Sequence, residues 1–255
     1  MTNKNHFADL KNKVVVITGG NGFMGIQYSK AFKQIGSIVI SLDVKKKKNE
    51  LFYFCDITNE NEVKNTLDQI VKKYKKIDIL INNASIDYIP SKINKTDYSL
   101  ENFSQELWLR DLSVGLTGAF ICTKIFGKYM SKQKKGGNII NVSSDLGLIA
   151  PDNRVYENNF VKPVSYSVIK HGIIGLTKYT STYWSKKNIR CNCFAPGGMF
   201  NNQDQQFVNN IKKLIPLNRM AKKNEYNSII LFLASEASSY LNGSTLVADG
   251  GRSIW

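Results

Sequence analysis

Hydrophobic residues are distributed along the chain in two alternating patterns. Short, continuous apolar runs such as 14–17 are typical of parallel strands buried on both faces. Longer segments with one polar face, such as 61–75, are typical of amphipathic helices. The apolar runs predict strands at 14–17, 37–42, 51–55, 77–81, 138–142, 189–194 and 245–248. The periodic segments predict helices at 22–35, 61–75, 103–131, 163–185 and 225–234.

This alternation predicts one fold class. Strand–helix–strand units of this length form right-handed crossovers, which place helices on both faces of a parallel sheet. The 255 residues suffice for one substantial core, and no linker, repeat or low-complexity segment marks a second unit. We therefore predict a single α/β domain over residues 1–255.

The lengths of the apolar runs and the positions of the cysteines bear on where the protein is located. No apolar run approaches the length of a membrane span, and residues 1–6 lack the apolar core of a signal peptide, so we predict a cytoplasmic protein without a membrane partner. The four cysteines fall in predicted strands and a helix, as reduced core residues do: Cys55, Cys122, Cys191 and Cys193. Cys191 and Cys193 have no matching second pair, so we predict no metal site.

The formal net charge of +15 raises the question of a nucleic-acid partner. The lysines, however, are scattered over helix faces and turns, and no aromatic residues interleave the basic runs as a stacking platform would require. This distribution favours solvated lysines, or attraction of an anionic cofactor or substrate. We predict no nucleic-acid partner.

A glycine-rich turn follows the first predicted strand. It reads Thr18-Gly19-Gly20-Asn21-Gly22-Phe23-Met24-Gly25. Glycines here allow the backbone to approach a pyrophosphate, and the next helix then offers free N–H groups and a positive dipole to that anion. Asp43 ends the second strand, where a carboxylate accepts hydrogen bonds from a ribose and repels a 2′-phosphate. The sequence therefore favours NAD, while the basic run 45–48 leaves NADP open.

Tyr166 and Lys170 form the candidate chemical pair. A spacing of four places the phenol and the ammonium on one face of a helix, one turn apart. A nearby cation favours the phenolate, which makes Tyr166 a candidate proton donor and acceptor at neutral pH. The spacing alone also arises by chance and in packed cores, so its weight comes from the surrounding motifs.

With these motifs the sequence resembles the short-chain dehydrogenase/reductase family along essentially its whole length. The resemblance rests on the glycine turn, Asn82-Asn83-Ala84, Ser143-Ser144, Tyr166 with Lys170, Pro196-Gly197 and residues 247–251. It implies a single-domain, doubly wound Rossmann-like fold with a parallel sheet of about seven strands. It also implies a homodimer or homotetramer assembled through two long helices.

The resemblance also implies roles for individual residues. Ser144 would polarise the substrate oxygen, Tyr166 would exchange the proton, and Lys170 would bind the nicotinamide ribose. The cofactor contacts implied by position are Gly19, Asn21, Gly22, Phe23, Met24, Gly25, Asp43, Asp56, Ile57, Asn83, Ala84, Tyr166, Lys170, Pro196, Gly197 and Met199. An alternative interpretation of Ser143 and Ser144 is a pair of turn hydroxyls.

Two departures from the family pattern concern the cofactor turn and the proton relay. Phe23 stands where single-domain members carry the middle glycine, which gives the glycine spacing of the extended branch; Gly22 and Gly25 remain for the phosphate contact. Gly115 stands where the family has a helix asparagine that holds a relay water. Either a water or another side chain substitutes for it, or turnover is slow.

A third departure is the interval of 22 residues from Ser144 to Tyr166, which is longer than the family's common spacing. The extra segment, 151–159, is polar and contains Arg154, so it suits a hydroxyl-rich or anionic substrate contacted by Ser144, Arg154 and Tyr166. An interface or lid loop is the alternative. We predict an NAD-dependent oxidoreductase that interconverts a secondary alcohol and a ketone on a sugar, sugar acid or nucleotide sugar. The open alternatives are a non-catalytic dinucleotide-binding scaffold and a reductase of acyl or steroid ketones.

Overall fold

The protein is described from a computed structural model that covers residues 7–46, 51–86, 88, 98–157 and 160–255. Its centre is a seven-stranded parallel sheet in the order β3-β2-β1-β4-β5-β6-β7, which confirms the predicted fold class. The strands are β1 (Val14–Thr18), β2 (Ile38–Asp43), β3 (Phe52–Phe54), β4 (Ile79–Asn82), β5 (Gly137–Val142), β6 (Ile189–Pro196) and β7 (Thr245–Ala248).

Helices cover both faces of this sheet. They are α1 (Phe23–Gln34), α2 (Glu60–Tyr74), α3 (Gln105–Leu112), α4 (Gly118–Met130), α5 (Val164–Tyr183), α6 (Gln205–Lys212) and α7 (Asn227–Ala234). Residues of α1 and α7 share a buried cluster with one face of the strands, and residues of α2 and α4 share a cluster with the other. All five residues of β1 are buried, because the strand lies at the middle of this three-layer arrangement.

Alternation within β1 shows why a continuous apolar run was the right signal for this strand. Val15 and Ile17 belong to the cluster beside α1, whereas Val14 and Val16 belong to the cluster beside α2 and α4. Successive side chains of a strand point to opposite faces, so a strand with helices on both sides needs apolar residues at every position.

The predicted helix 103–131 is wrong as one regular element. Its middle is a π-helical turn, Ser113–Thr117, between α3 and α4. A π turn inserts one extra residue into the helical ladder and is frequent at functional sites. A second difference is α6, an eight-residue amphipathic helix that the sequence analysis did not predict.

Several other observations bear on the sequence predictions. All four cysteines are free and buried, as predicted. Within the described residues no helix is long and apolar enough to cross a membrane, and no group of His, Cys, Asp and Glu is arranged to hold a metal. Parts of two predicted features, Lys47 and Lys48 of the basic run and Asn158 and Asn159 of the insert, lie outside the described residues.

Candidate active site

The motifs singled out in the sequence meet at one edge of the sheet. The glycine turn follows β1, Asn83 follows β4, Ser143 and Ser144 follow β5, and Gly197 follows β6. β1 and β4 are neighbours in the sheet although β2 and β3 come between them in sequence, so the strand order reverses here. The crevice at such a reversal, outside the carboxyl ends of the strands, is where open α/β sheets bind ligands.

The glycine turn is tightly constrained by its neighbours. Gly19 has a φ of +62°, and a Cβ there would come within 2.8 Å of the Cα of Ala84. A Cβ on Gly25 would collide with the carbonyl oxygen of Gly19. Larger residues at either position would therefore open the turn, which is the reason that glycine is needed at both.

The amino end of α1 faces this turn. Gly22 is the N-cap, and among the described residues no side chain caps the helix. The first-turn N–H groups of a helix have no intrahelical acceptor, so they can bind an anion at this point. Phe23 and Met24 are partly buried against the core beside α1, and the Lys223 ammonium lies 5.8 Å from the centroid of the Phe23 ring.

Asp43 is tied directly to the turn. Its Oδ2 accepts the N–H of Asn21 at 2.9 Å and its Oδ1 accepts the N–H of Lys45 at 2.9 Å. The buried Asn21 side chain donates in turn to the carbonyl oxygen of Lys45 at 2.6 Å. Each carboxylate oxygen keeps a further lone-pair site, so Asp43 can still accept a hydrogen bond from a ribose hydroxyl.

Residues after β4 are fastened to the end of β1. The Thr18 hydroxyl oxygen accepts the N–H groups of Asn83 and Ala84, at 3.0 and 3.1 Å. The Asn83 side chain donates to the carbonyl oxygens of Thr18 and Gly19, at 3.1 and 3.2 Å. The two segments that would line the adenosine side are thus held as one unit.

The other cofactor candidates differ in how accessible they are. Asp56 is half-buried and accepts the N–H and hydroxyl of Thr58, whereas Ile57 is buried in the core. Pro196 ends β6, and the Gly197 carbonyl accepts the Tyr226 hydroxyl at 2.9 Å. Met199 is only 8% exposed and packs in the core beside α1. Ile57 and Met199 can therefore offer mainly backbone groups to a ligand.

Tyr166 and Lys170 both lie on α5, as their spacing predicted. The Lys170 ammonium is 5.4 Å from the centroid of the Tyr166 ring and donates to the carbonyl oxygen of Val142 at 3.2 Å. Lys170 is 5% exposed, while Tyr166 is half-buried. A buried cation beside a partly accessible phenol favours the phenolate and leaves it within reach of a ligand.

The two serines after β5 play different parts. The Ser143 hydroxyl donates to the carbonyl oxygen of Lys170 at 2.7 Å and thereby anchors α5. The Ser144 hydroxyl donates to Oδ1 of Asp145 at 2.8 Å, and its oxygen accepts the N–H of Leu146 at 3.2 Å. One lone pair of Ser144 remains, so in this arrangement the serine can accept a hydrogen bond from a substrate hydroxyl.

Asp145 is a residue that sequence reasoning missed. Its Oδ2 accepts Nη1 of Arg252 at 2.9 Å, and the two side chains are 3% and 8% exposed. Arg252 lies 107 residues further along the chain, after β7. The only local signal in the sequence was the position of a carboxylate directly after Ser144, in a turn expected to be buried.

Asp111 is a second missed residue. It is 2% exposed and its carboxylate accepts two hydroxyl groups: the single Tyr88 O–H, whose oxygen lies 2.7 and 2.8 Å from the two carboxylate oxygens, and the Ser165 O–H at 2.6 Å. Arg110 is paired with the same carboxylate at 3.1 Å. Burial raises the pKa of Tyr88, and the hydrogen bond to Asp111 adds to the effect. Because Ser165 precedes Tyr166, the network fixes the start of α5.

Gly115 occupies the π turn and packs directly against α5. A Cβ at this position would lie 2.8 Å from Cγ2 and 3.1 Å from Cδ1 of Ile169. The space that a relay asparagine needs is therefore filled by Ile169. This is the structural counterpart of the departure found in the sequence.

Aromatic rings of the insert and of the segments around it pack against one another. Tyr156 lies 4.8 Å from Phe160 and 5.5 Å from Phe207 of α6, between ring centroids. Tyr98 lies 6.1 Å from Phe160 and 5.0 Å from Tyr88. The Arg154 side chain is 88% exposed and binds Asp152 through two hydrogen bonds of 2.9 and 2.7 Å. The aromatic rings are therefore the packed side chains in this region, whereas the Arg154 guanidinium is exposed to solvent.

These features together fit a dinucleotide. The close-packed glycine turn, the uncapped amino end of α1 and the Asp43 carboxylate lie in succession along one edge, in the order in which a pyrophosphate and an adenosine ribose need them. The nicotinamide end would then reach Tyr166, Lys170 and the segment after β6.

The family model and two relatives that match this chain are all reductases or dehydrogenases. Residues 25–253 match the family model described as enoyl-(acyl carrier protein) reductase. The chain is 31% identical to the 3-oxoacyl-[acyl-carrier-protein] reductase of Thermotoga maritima, over 96% of this chain and 99% of that protein. It is 28% identical to the NAD-dependent glycerol dehydrogenase of Listeria innocua, over 96% of each chain.

A solved structure agrees with this result. A short-chain dehydrogenase from Leptospira borgpetersenii with bound NAD⁺ superimposes with a TM-score of 0.87 at 31% identity, covering 100% of this chain and 98% of that one. The resemblance therefore extends along the whole length of the chain and is not confined to the dinucleotide turn.

Proposed function

This chain belongs to the short-chain dehydrogenase/reductase family, and we propose that it interconverts a secondary alcohol and a ketone with NAD as its preferred cofactor. Family membership makes it an NAD(P)-dependent oxidoreductase. The observation that carries the proposal is the placement of the Lys170 ammonium 5.4 Å from the Tyr166 ring, at the same sheet edge as the dinucleotide turn.

The proposed chemistry divides between cofactor and protein. A bound nicotinamide dinucleotide supplies the hydride acceptor for oxidation of the alcohol, or the hydride donor for reduction of the ketone. Tyr166 takes the hydroxyl proton in oxidation and returns it in reduction. Lys170 stabilises the phenolate that forms, and the Ser144 hydroxyl, on turning from Asp145 to the substrate, would donate a hydrogen bond to the reacting oxygen.

The preference for NAD rests on Asp43. Its charge would repel the 2′-phosphate of NADP, and its two backbone hydrogen bonds hold it beside the glycine turn. Two similar proteins support the same choice, since one is named an NAD-dependent dehydrogenase and another was solved with NAD⁺. NADP remains the alternative cofactor, because Lys45 adjoins Asp43.

We propose a hydroxyl-rich substrate of the sugar, sugar-acid or nucleotide-sugar class. Aromatic faces bind the C–H faces of sugar rings, and Tyr156, Phe160 and Phe207 form such a surface next to the insert. The similarity to a glycerol dehydrogenase also favours a polyhydroxylated substrate. The similarity to a 3-oxoacyl reductase favours the second candidate, a ketone on an acyl chain.

A homodimer or homotetramer is proposed as the working assembly. Large apolar side chains are exposed on the consecutive helices α3, α4 and α5, among them Leu109 at 55%, Phe120 at 48% and Tyr179 at 66%. Large apolar side chains exposed on the surface are typical of association surfaces where they form one patch. Light scattering coupled to gel filtration tests it, and a monomer at micromolar concentration contradicts it.

The central test is Tyr166→Phe, assayed by nicotinamide absorbance on a panel of sugars, sugar acids, nucleotide sugars and 3-oxoacyl thioesters with each cofactor. We expect turnover to be lost while NAD binding, measured by calorimetry, is retained. Tyr183→Phe is the matched control, because Tyr183 lies on the same helix but is 64% exposed. Full turnover by Tyr166→Phe would remove Tyr166 from the mechanism, and activity on acyl thioesters alone would select the second candidate.

A further inference from the structure

A second lysine contacts the candidate proton-transfer residue. The Lys162 ammonium lies 4.1 Å from the centroid of the Tyr166 ring, closer than the 5.4 Å of Lys170. Lys162 comes from the short segment between the insert (151–159) and α5, not from the helix that carries the Tyr-x-x-x-Lys spacing. The phenol of Tyr166 is therefore flanked by two cations instead of one.

The insert holds Lys162 in place. Pro163 directly precedes α5, so the backbone between Lys162 and Tyr166 is fixed by the proline and the first helical turn. The N–H of Lys162 donates to Oδ1 of Asn153 at 3.4 Å, and the neighbouring Phe160 packs edge-on against Tyr156 at 4.8 Å. The half-buried lysine side chain is thus aimed at the tyrosine from a short, supported segment.

A cation over an aromatic ring is attracted by the electron density of its face. That density increases when the phenol loses its proton, so an ammonium at this distance binds the phenolate more strongly than the phenol. An opposite charge within about 4–6 Å favours the charged form of an acid. Measured to the centroid of the Tyr166 ring, over which the charge of a phenolate is partly delocalised, Lys162 at 4.1 Å is closer than Lys170 at 5.4 Å.

The buried carboxylates on elements packed around the start of α5 are paired. Asp111 on α3 is bound by Arg110, and it also accepts hydroxyl hydrogen bonds from Tyr88 and Ser165. Asp145, in the turn after β5, is bound by Arg252. Glu106 lies on the exposed side of α3. The two carboxylates nearest the start of α5 are thus each matched by a guanidinium.

We propose that Lys162 is a positioning residue that, together with Lys170, favours the phenolate form of Tyr166 during proton transfer. The inference rests on the proposed function, in which Tyr166 exchanges the substrate proton. It also gives the insert a role in placing Lys162, because Asn153 of the insert accepts the Lys162 N–H. Gly115 leaves this chain without the relay asparagine, and Lys162 adds stabilisation of the negative charge on the Tyr166 phenolate itself.

The first test is the pH dependence of turnover in Lys162→Gln. We expect the pH of half-maximal kcat for alcohol oxidation to rise by about 0.5–1 unit, the size expected of one cation–π contact. NAD affinity should stay unchanged, and Lys162→Arg should restore the parental profile. Lys178→Gln, an exposed lysine on α5, is the matched control. An unchanged profile with a raised KM for anionic substrates would overturn the proposal and make Lys162 a substrate ligand.

The second test needs no turnover. Ultraviolet absorbance of phenolate is titrated in the protein without cofactor, and the signal of Tyr166 is isolated by subtracting the Tyr166→Phe variant. We expect the Tyr166 signal to appear at higher pH in the Lys162→Gln background. Coincident curves in the two backgrounds would refute the role of Lys162. Failure of the proposed function shows itself separately, as turnover retained by Tyr166→Phe.

Discussion

Nη1 of Arg252 lies 2.9 Å from Oδ2 of Asp145, and the pair is buried beneath the serine that faces the candidate site. The contact joins the last four residues of the chain to the turn after β5. The ion pair therefore links the C-terminal segment to the orientation of Ser144, because Asp145 accepts the Ser144 hydroxyl with its other oxygen.

Removing Arg252 should be costly. Arg252→Met leaves a buried carboxylate without its guanidinium, and we expect the free energy of unfolding to fall by about 3–5 kcal/mol. Urea denaturation at neutral pH measures this loss. Arg154→Met is the matched control, since its ion pair with Asp152 is exposed and should be worth less than about 1 kcal/mol. Equal losses in the two variants would contradict the structural role of the buried pair.

Restoring an asparagine at the relay position should not by itself raise turnover. Ile169 already lies 2.8 Å from the position of a Cβ on Gly115, so Gly115→Asn overpacks the contact between the π turn and α5. We expect a loss of about 1–3 kcal/mol in unfolding free energy. The simplest measurement compares Gly115→Ala with Gly175→Ala, where a Cβ meets nothing within 4 Å.

We expect the two alanine substitutions to change the free energy of unfolding in opposite directions. Gly175→Ala should stabilise α5 by about 0.5–1 kcal/mol through helix propensity alone. Gly115→Ala should destabilise despite the same propensity gain. If both variants were more stable than the parent protein, Ile169 would be able to move away, and its close approach would not explain the missing asparagine. An increase in kcat for Gly115→Asn/Ile169→Ala over Ile169→Ala would show that the relay water is limiting.

Cofactor selectivity should depend on the charge of Asp43. Asp43→Asn keeps the shape but removes the negative charge and one of the two backbone acceptors used by Asn21 and Lys45. We expect the ratio of kcat/KM for NAD over NADP to fall at least about tenfold, which corresponds to about 1.4 kcal/mol. Asp68→Asn, on the exposed face of α2, serves as the control. An unchanged ratio would separate Asp43 from cofactor choice.

Acid should weaken the fold partly through Glu225. Arg219 binds this carboxylate through two hydrogen bonds, of 2.7 and 2.5 Å, and lowers the pKa of Glu225 to about 2. A carboxylate whose folded pKa lies below its unfolded value of about 4.3 stabilises the fold above that pH. This contribution is lost as the pH falls from about 4.3 to about 2. Glu225→Gln should therefore flatten the pH dependence of the free energy of unfolding in that window.

The amino-acid sequence by itself determined the sheet and the chemical pair. The central strands β1, β2 and β4 contain apolar runs that can be identified from neighbouring residues alone, because a strand covered on both faces needs apolar residues at consecutive positions. Tyr166 and Lys170 are equally local, since one helical turn brings them together whatever else the chain does. The short helix α6 was missed because it has only eight residues, and its apolar positions Phe207, Val208 and Ile211 span too short a stretch for a helical period to be recognised.

Only the tertiary structure decided what surrounds that pair. Asp145 meets Arg252 across 107 residues, and Asp111 meets Ser165 across 54, so no local pattern contains either contact. Gly115 reads as a missing side chain in the sequence, and packing of Ile169 against a π turn shows that the space is filled. Hydrogen bonds and contacts of this kind depend on where the helices pack on the sheet. That packing is set by the burial of many side chains that are far apart in sequence, and not by neighbours along the chain.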